Sequence, residues 1–232
     1  MADRDRSVGC VVKTSLLKPP FLVYAAKRQS PEGDGSIFKI NELNMNIINV
    51  GYDSTNYYAI EFKDGKLLVD CGWPGTLPKL TAELKRKGIA LSEIKYLLVT
   101  HFHPDHAGLV QELKTQGIKF LLLDCQVNFI PQLSEFFKGK TYPYIEIKQK
   151  DNLILKLEES RKFLAGIGLN GEILHTPGHS NDSVTFILDE GFAFTGDLQP
   201  LFMLPQEDKI SHESWNKIYQ RKINRIFPGH GG

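Results

Sequence analysis

Three histidines and one aspartate occur within six residues, in the segment HFHPDH. They are His101, His103, Asp105 and His106. Imidazole nitrogens and carboxylate oxygens are the ligands that zinc and similar divalent ions take in proteins. A single HxH pair is ordinarily a solvated surface turn, but this density of ligands between an apolar strand and a helix favours a metal loop. The two pairs of side chains can serve two ions, because Pro104 bends the chain between them.

Each ion needs further ligands, and three later turns of the chain offer them. His179 lies in TPGHS, Asp197 in TGD and His230 in PGH, and each follows a strand-like run. Taken singly, such a residue is ordinarily solvated or caps a helix. Loops at strand ends are held rigidly and can converge on one site. The shared placement therefore predicts that these three residues complete the site begun by HFHPDH.

The elements that position these residues follow from hydrophobic patterning. Short apolar runs predict many strands, and apolar residues at helical spacing predict helices between them. This mixture predicts an α/β fold built from layers. The predicted strands are residues 45–50, 57–62, 66–70, 94–100, 119–124, 171–176, 183–189, 192–197 and 224–230. The predicted helices are residues 77–88, ending at Gly88, 109–117, 125–137, broken near Pro131, and 212–223.

The charge balance limits the kinds of partner that we expect, and the cysteine content limits the expected cellular compartment. The chain has 28 Lys and Arg against 27 Asp and Glu, so no global field favours nucleic acid or an anionic membrane, although a local basic groove is not excluded. Cys10, Cys71 and Cys125 are odd in number and widely spaced, which favours reduced thiols. No apolar run approaches the roughly 20 residues that span a bilayer, and Asp3 and Asp5 argue against a signal peptide. We expect a cytoplasmic protein with a small-molecule substrate and no membrane partner.

The motifs THFHPDHAG, TPGHS, TGD and PGH occur in the order of the metallo-β-lactamase superfamily of hydrolases, which residues 45–230 resemble. The resemblance implies a four-layer αββα sandwich with metals in a cleft at one edge of two packed sheets. It implies two divalent ions, most often zinc, although iron and manganese also accept such ligands. His101, His103 and His179 would hold the first ion, Asp105, His106 and His230 the second, and Asp197 would bridge the two.

The resemblance also gives a role to Asp70, because the family has an aspartate there that hydrogen-bonds to the site. From the residue alone, Asp70 is a carboxylate after an apolar strand, which is consistent with orienting a ligand imidazole. Its neighbour Cys71 is expected to be a small buried thiol rather than a ligand. Residues 45–232 would form the metallo-hydrolase domain, preceded by residues 1–44 as an N-terminal arm without an assigned function.

The predicted chemistry is hydrolysis by a hydroxide shared between two ions, because divalent ions lower the pKa of bound water from about 15.7 toward 7. Asp105 would orient this hydroxide and then pass a proton to the leaving group. The oxygen-reducing branch of the superfamily has Glu where this chain has His103, so the motif favours hydrolysis.

The substrate is less constrained than the chemistry. The best-known class B β-lactamases carry Cys where this chain has Asp197, whereas glyoxalase II and the lactonases carry a carboxylate. An ester, thioester or lactone is therefore the leading substrate class, with β-lactam hydrolysis as a side activity at most. Glyoxalase II continues into a helical domain where this chain ends at Gly232. We therefore expect either a differently built pocket or a missing C-terminus.

Two alternatives stay open. A phosphodiesterase or nuclease would use the same ions on phosphorus and should have a groove lined by Lys and Arg. A ligand-binding member without activity should have lost metal ligands, and this sequence keeps them. Tyr142, Tyr144 and Phe202 are candidate walls of an apolar pocket, although aromatic side chains more often lie in a core.

Overall fold

Seven strands form the first of two β-sheets. The computed structural model describes residues 37–39 and 46–231. The strands lie side by side in chain order from β1 to β7, antiparallel as far as β4 and parallel from there on. They are β1 (Ile37–Lys39), β2 (Asn46–Asn49), β3 (Tyr58–Phe62), β4 (Gly65–Val69), β5 (Ile94–Leu98), β6 (Lys119–Leu123) and β7 (Leu153–Leu155).

The second sheet has four strands in the spatial order β11, β10, β9, β8. Strand β9 is antiparallel to both of its neighbours, and β10 and β11 are parallel. Strands β8, β10 and β11 consequently run in one direction and end at the same edge of the sheet. The strands are β8 (Gly171–His175), β9 (Val184–Leu188), β10 (Phe192–Gly196) and β11 (Arg225–Pro228).

Helices cover the outer faces of both sheets. Leu80, Val110 and Leu133, from three helices, are buried in one cluster with the outer face of the first sheet. Trp215 and Ile218 are buried against the second sheet. Of the helices in the described ranges, none is long and apolar enough to cross a membrane. The helices are α1 (Leu77–Arg86), α2 (Pro104–Ala107), α3 (Val110–Thr115), α4 (Ile130–Phe137), α5 (Ser160–Ile167) and α6 (Lys209–Tyr219).

The inner faces of the two sheets pack directly on each other. Leu67 and Leu98 of the first sheet share a buried cluster with Phe186 and Phe194 of the second. The two phenylalanine rings are stacked with centroids 5.5 Å apart. The order of layers is therefore helix, sheet, sheet, helix, and the predicted four-layer αββα sandwich is confirmed.

Some elements differ from their predicted bounds. Helix α6 begins at Lys209, before the predicted residue 212, because the Asp208 carboxylate caps it by accepting the Ser211 N–H at 3.0 Å. Strand β7 and helix α5 were not predicted. Strand β1 lies within the predicted arm and pairs with β2, whereas the other residues of that arm lie outside the described residues. The division of the chain at residue 45 stays a prediction.

Candidate metal centre

All seven predicted metal ligands lie in segments that follow strand ends. His101 comes after β5, His179 lies between β8 and β9, Asp197 follows β10, and His230 follows β11. The predicted bend at Pro104 is the start of the short helix α2, which carries two further ligand-type residues of the motif. The ends of strands from both sheets thus meet at one place, where their side chains converge.

The first group of ligand-type atoms comes from both sheets. It consists of His101, His103, His179 and Asp197, whose ligand-type atoms lie within 4.8 Å of one another. The His103 Nδ1 and His179 Nε2 atoms are 2.9 Å apart. The Asp197 Oδ2 atom is 3.5 Å from His179 Nε2 and 3.9 Å from His101 Nε2. These side chains could hold one metal ion.

The second group consists of Asp105, His106 and His230, again with ligand-type atoms within 4.8 Å of one another. The Asp105 Oδ2 atom is 3.1 Å from His230 Nε2 and 3.4 Å from His106 Nε2. Asp197 also reaches this group, with Oδ1 3.2 Å from His106 Nε2 and Oδ2 3.3 Å from His230 Nε2. Its carboxylate therefore lies between the two groups, where the predicted bridging ligand belongs.

Hydrogen bonds behind three of the rings direct their Nε2 atoms toward the centre. The His106 Nδ1 atom is 2.8 Å from Asp70 Oδ2, and the His230 Nδ1 atom is 2.8 Å from the Ser54 carbonyl. The His101 Nδ1 atom is 3.0 Å from the hydroxyl of Thr100, which itself donates to Asp70. Each Nδ1 is therefore the N–H donor, so each Nε2 presents a lone pair whenever its ring is neutral.

These lone pairs fit a bound metal. Within the described part of the chain, the buried His101 Nε2 and Asp197 Oδ1 atoms have no hydrogen-bond partner. The His106 and His230 Nε2 atoms lie 3.4 Å apart. A buried acceptor without a partner is costly, and facing lone pairs repel each other. A cation among these atoms removes both penalties, so the residues present suit the divalent ions that the sequence implies.

Asp70 lies behind the candidate site and hydrogen-bonds to Thr100 and His106. It is almost fully buried and adopts a left-handed backbone conformation with φ of 62°. Its carboxylate accepts the Thr100 N–H at 2.7 Å, the Thr100 hydroxyl at 2.9 Å and the His106 Nδ1–H at 2.8 Å. One carboxylate thus orients one ligand imidazole directly and a second, that of His101, through a threonine hydroxyl.

The charges around the centre favour a cation. Burial lowers the pKa of His101, and the neighbouring His106 lowers it further, so its imidazole is neutral. Burial would also lower the pKa of His106, but Asp70 and the other carboxylates hold that pKa well above its usual range. Burial opposes ionisation of Asp105, yet its contacts with His106 keep the Asp105 pKa low. With His101 neutral and Asp105 ionised, the centre attracts positive charge, supplied by a proton or by a metal ion.

A glycine keeps the space behind the second group open. A Cβ atom on Gly229 would lie 2.4 Å from Asp197 Oδ1 and 2.7 Å from His106 Cε1. Gly229 is thus the small residue that lets two ligand side chains pack against the backbone of the PGH turn.

The sequence profile of the metallo-β-lactamase superfamily matches residues 50–230. This chain belongs to the metallo-β-lactamase superfamily. A β-lactamase-like protein 2 homolog from Drosophila melanogaster is 32% identical over 192 residues, which cover 76% of this chain and 58% of that protein. A hydroxyacylglutathione hydrolase from Rhodopseudomonas palustris is 28% identical and covers 57% of this chain and 43% of its own length. The chain spans about half the length of the curated relatives it matches.

Solved structures of metallo-β-lactamase proteins have the same fold. A family member from Thermus thermophilus superposes with a TM-score of 0.61 at 21% identity, covering 81% of this chain and 73% of that one. A metallo-β-lactamase from Cronobacter sakazakii gives a TM-score of 0.61 at 16% identity, covering 80% and 78%. At these identities the likeness concerns the fold, and it agrees with the layers described above.

Thr100 and Thr55 contact residues of this candidate centre, and the sequence pattern does not predict either contact. Thr100 directly precedes His101, and nothing in the sequence except this place in the motif indicates a role for it. Thr55 is 5% exposed and donates its hydroxyl to Asp105 Oδ2 at 3.2 Å. No sequence pattern marks Thr55, because its contact arises only when the loop after β2 folds over the second group.

The candidate pocket aromatics lie in two places. Tyr142 stacks on Trp73, which follows Asp70 closely in the chain, with ring centroids 5.5 Å apart. Tyr144 stacks on Phe137 with centroids 4.6 Å apart. Phe202 is 75% exposed in the segment after Asp197. Their part in a pocket stays a prediction, and Trp73 joins them as a residue that the sequence reasoning did not name.

Cys71 is fully buried and its thiol donates to the His106 carbonyl, with a sulfur–oxygen distance of 3.2 Å. Burial raises the pKa of this thiol, so it stays protonated. The expected role of Cys71 as a small buried thiol agrees with this environment. Cys125 is also a free thiol, and Cys10 lies outside the described residues.

Proposed function

We propose that this protein is a hydrolase that uses two divalent metal ions to cleave an ester, thioester or lactone, with zinc as the leading metal. The observation that carries the proposal is the convergence of five histidines and two aspartates in two adjoining groups. His101, His103 and His179 would hold one ion, Asp105, His106 and His230 would hold the other, and Asp197 would contact both. When bound, such ions lower the pKa of water toward 7 and stabilise negative charge on a substrate oxygen.

Asp105 is the residue that moves the proton. Contacts with His106 keep the Asp105 pKa low despite burial, so the carboxylate is ionised and can accept a hydrogen bond from the attacking water. The proton of that water becomes acidic as its oxygen bonds to the substrate carbonyl, and Asp105 would then take it. Thr55 and His230 contact its Oδ2 atom and fix the orientation of the carboxylate. Once protonated on a carboxylate oxygen, Asp105 can donate to the leaving oxygen or sulfur, which completes acyl transfer to water.

The substrate class rests on three further observations. A carboxylate, Asp197, stands at the bridging position, and one relative is named a hydroxyacylglutathione hydrolase. Trp73 and Phe202 follow Asp70 and Asp197 in loops at the edge of the sheets where the ligands gather. Partly exposed aromatic rings there would bind the apolar part of an acyl substrate.

The test combines metal analysis with a panel of substrates. The purified protein is reconstituted with Zn²⁺, its metal content is measured, and it is assayed on a thioester, a lactone, a carboxylic ester, a β-lactam and a phosphodiester. We expect about two ions per chain and turnover of one of the first three substrates. His103→Ala should abolish turnover. His212→Ala is the matched control, because His212 lies on α6 outside both groups.

Three results would count against the proposal. If the reconstituted protein holds no metal, the metal-dependent chemistry is wrong. If His103→Ala is as active as His212→Ala, the ligand assignment is wrong. Cleavage of the phosphodiester alone would instead assign the same centre to a phosphodiesterase.

A further inference from the structure

The two ligand loops of the first group belong to different sheets. His101 and His103 follow β5 in the first sheet, whereas His179 precedes β9 in the second. The 2.9 Å separation of His103 Nδ1 and His179 Nε2 therefore depends on what holds these loops together. One tie is a main-chain hydrogen bond, from the Val184 N–H to the Thr100 carbonyl at 2.9 Å.

A buried carboxylate makes a second tie. Asp182 is 3% exposed and lies in the loop that carries His179. Its Oδ2 atom accepts the N–H of Phe102 at 2.7 Å, directly between the two ligand histidines of the other loop. A charge-assisted hydrogen bond to a backbone N–H is stronger than a neutral one. Asp182 thus fixes the chain at the point where His101 and His103 diverge.

A buried amide makes a third tie. Gln126 has no exposed surface and lies in the short 3₁₀ helix that follows β6, Asp124–Phe129. Its Nε2 atom lies 3.2 Å from the Val99 carbonyl, 3.3 Å from the Thr100 carbonyl and 3.1 Å from the Asp182 carbonyl. One side chain therefore donates to both ligand loops at once. We call Asp182 and Gln126 together the loop clamp.

The contribution of the Gln126 side chain to stability does not explain why an amide is present at this position. Its Oε1 atom is buried, and no residue in the described ranges provides it with a hydrogen-bond donor. An unpaired buried acceptor is unfavourable, and an apolar side chain of similar length would fill the same space without that penalty. The amide is therefore better explained by the position that it imposes on the loops than by the stability it contributes.

From these contacts we infer that the loop clamp positions the first metal group selectively. The inference rests on the proposed function, because it concerns the geometry of metal ligands. The second group depends on other partners, since Asp70 orients His106 and the Ser54 carbonyl orients His230. Loss of the clamp therefore weakens the binding of the ion at His101, His103 and His179. The binding of the other ion stays largely unchanged.

The test uses the full chain with Asp182→Ala and Gln126→Met. Metal is removed with a chelator, and Zn²⁺ is titrated back in competition with a chromophoric chelator, so that two affinities are resolved. Co²⁺ spectra report the ligand geometry independently. In each variant we expect the affinity for one ion to fall about tenfold. Losses of this size are known for residues that hydrogen-bond to metal ligands without binding the metal themselves. The Co²⁺ absorption bands should shift, while the second affinity stays within about twofold of the parent value.

Matched variants separate positioning from a general loss of stability. Ser160→Ala removes a buried hydrogen bond from the Ile173 N–H at 3.1 Å, which lies in neither ligand loop, and should leave both affinities unchanged. Asp182→Asn keeps an oxygen that accepts the Phe102 N–H, and should restore most of the affinity lost in Asp182→Ala. Gln126→Met should melt within a few degrees of the parent protein, so its weaker metal binding cannot be ascribed to unfolding.

The outcomes distinguish this inference from the proposed function. A parent protein that binds no metal would overturn both. A parent that binds two ions, with both affinities unchanged in Gln126→Met and Asp182→Ala, would overturn the loop clamp alone. An equal loss of affinity for both ions in these variants would also overturn the loop clamp, because the inference requires a selective effect on the first group.

Discussion

The Nδ1 atom of His106 lies 2.8 Å from Oδ2 of Asp70, and both side chains are buried. Asp70 makes this contact from a left-handed backbone conformation, with φ of 62°. Such a conformation is unfavourable for residues other than glycine, and is tolerated best by asparagine and aspartate. Strain of this kind persists where the surrounding structure demands it and clusters at functional sites. The geometry of Asp70 thus supports its role in orienting a metal ligand.

Substitution of Asp70 should weaken metal binding even in a variant that stays folded. Asp70→Asn tolerates the left-handed backbone but cannot accept from Thr100 and His106 together, so we expect metal affinity to fall by about 10- to 100-fold. Asp70→Ala leaves the partners of a buried charge unpaired, and should lower the free energy of unfolding by roughly 3 kcal/mol. Metal titration and urea denaturation measure the two effects. Unchanged metal affinity in Asp70→Asn would show that this hydrogen bond does not orient the site.

Metal removal should lower the melting temperature. A ligand that binds only the folded state at 100 times its dissociation constant stabilises that state by about 2.7 kcal/mol. In a chain of this size such a change corresponds to roughly 5 to 10 °C. Thermal denaturation with Zn²⁺ and with a chelator should differ by this amount in the parent protein and in His212→Ala. A similar difference in His106→Ala would argue against the assigned ligands.

The sequence was most informative where a feature is local. Apolar runs before His101 and His230 predicted the strands that end beside the centre, and glycine and proline in TPGHS predicted the turn that carries His179. Each of these features arises from residues next to one another in the chain, so patterning alone is sufficient. The layered fold follows, because strands that are apolar on both faces must be covered on both sides.

The sequence was uninformative where a contact joins distant segments. Asp182 and Gln126 carry no motif, and their hydrogen bonds exist only once both sheets are packed. Strand β7 has three residues, which is too short for an alternating pattern to emerge. The positive φ of Asp70 and the orientation of its carboxylate are set by tertiary structure rather than by local propensity.

Gly229 should be intolerant of even one added carbon atom. In Gly229→Ala the new Cβ would overlap Asp197 Oδ1 and His106, so one of these ligands must move. A displacement of about 1 Å at a catalytic centre can cost about 100-fold in activity, and we expect a loss of this size in kcat/KM. The cost to stability should be about 1 to 3 kcal/mol, as for other overpacked sites.

Gly166→Ala is the matched control for that substitution. Gly166 is exposed within α5, and its added Cβ would meet no atom within 4 Å. Alanine there should stabilise the protein by about 0.5 to 1 kcal/mol and leave kcat/KM unchanged. Equal activity of the two alanine variants would mean that the space beside Asp197 is not needed.

Glu172 should stabilise the fold at neutral pH and cease to do so in acid. The hydrogen bond from Arg221 lowers the pKa of Glu172 in the folded protein, with burial as an opposing effect. Arg161 adds a further contact, at 3.2 Å, so one carboxylate joins β8 to α5 and to Arg221, two residues beyond the end of α6. A carboxyl with a depressed folded pKa contributes stability above its ordinary pKa, and that contribution is lost as the pH falls through the folded value.

Urea denaturation of Glu172→Gln at several pH values tests this pair. At pH 7 we expect the free energy of unfolding to fall by about 1 kcal/mol relative to the parent protein. The difference should shrink as the pH falls below about 4.5, the ordinary pKa of the group, and should be smallest below its lower folded pKa, where the parent side chain is neutral in both states. Glu135→Gln is the control, since Glu135 and its partner Lys138 are both largely exposed, and it should change stability by less than about 0.5 kcal/mol. A constant difference between Glu172→Gln and the parent from neutral to acid pH would mean that the contribution of Glu172 comes from packing rather than from its charge.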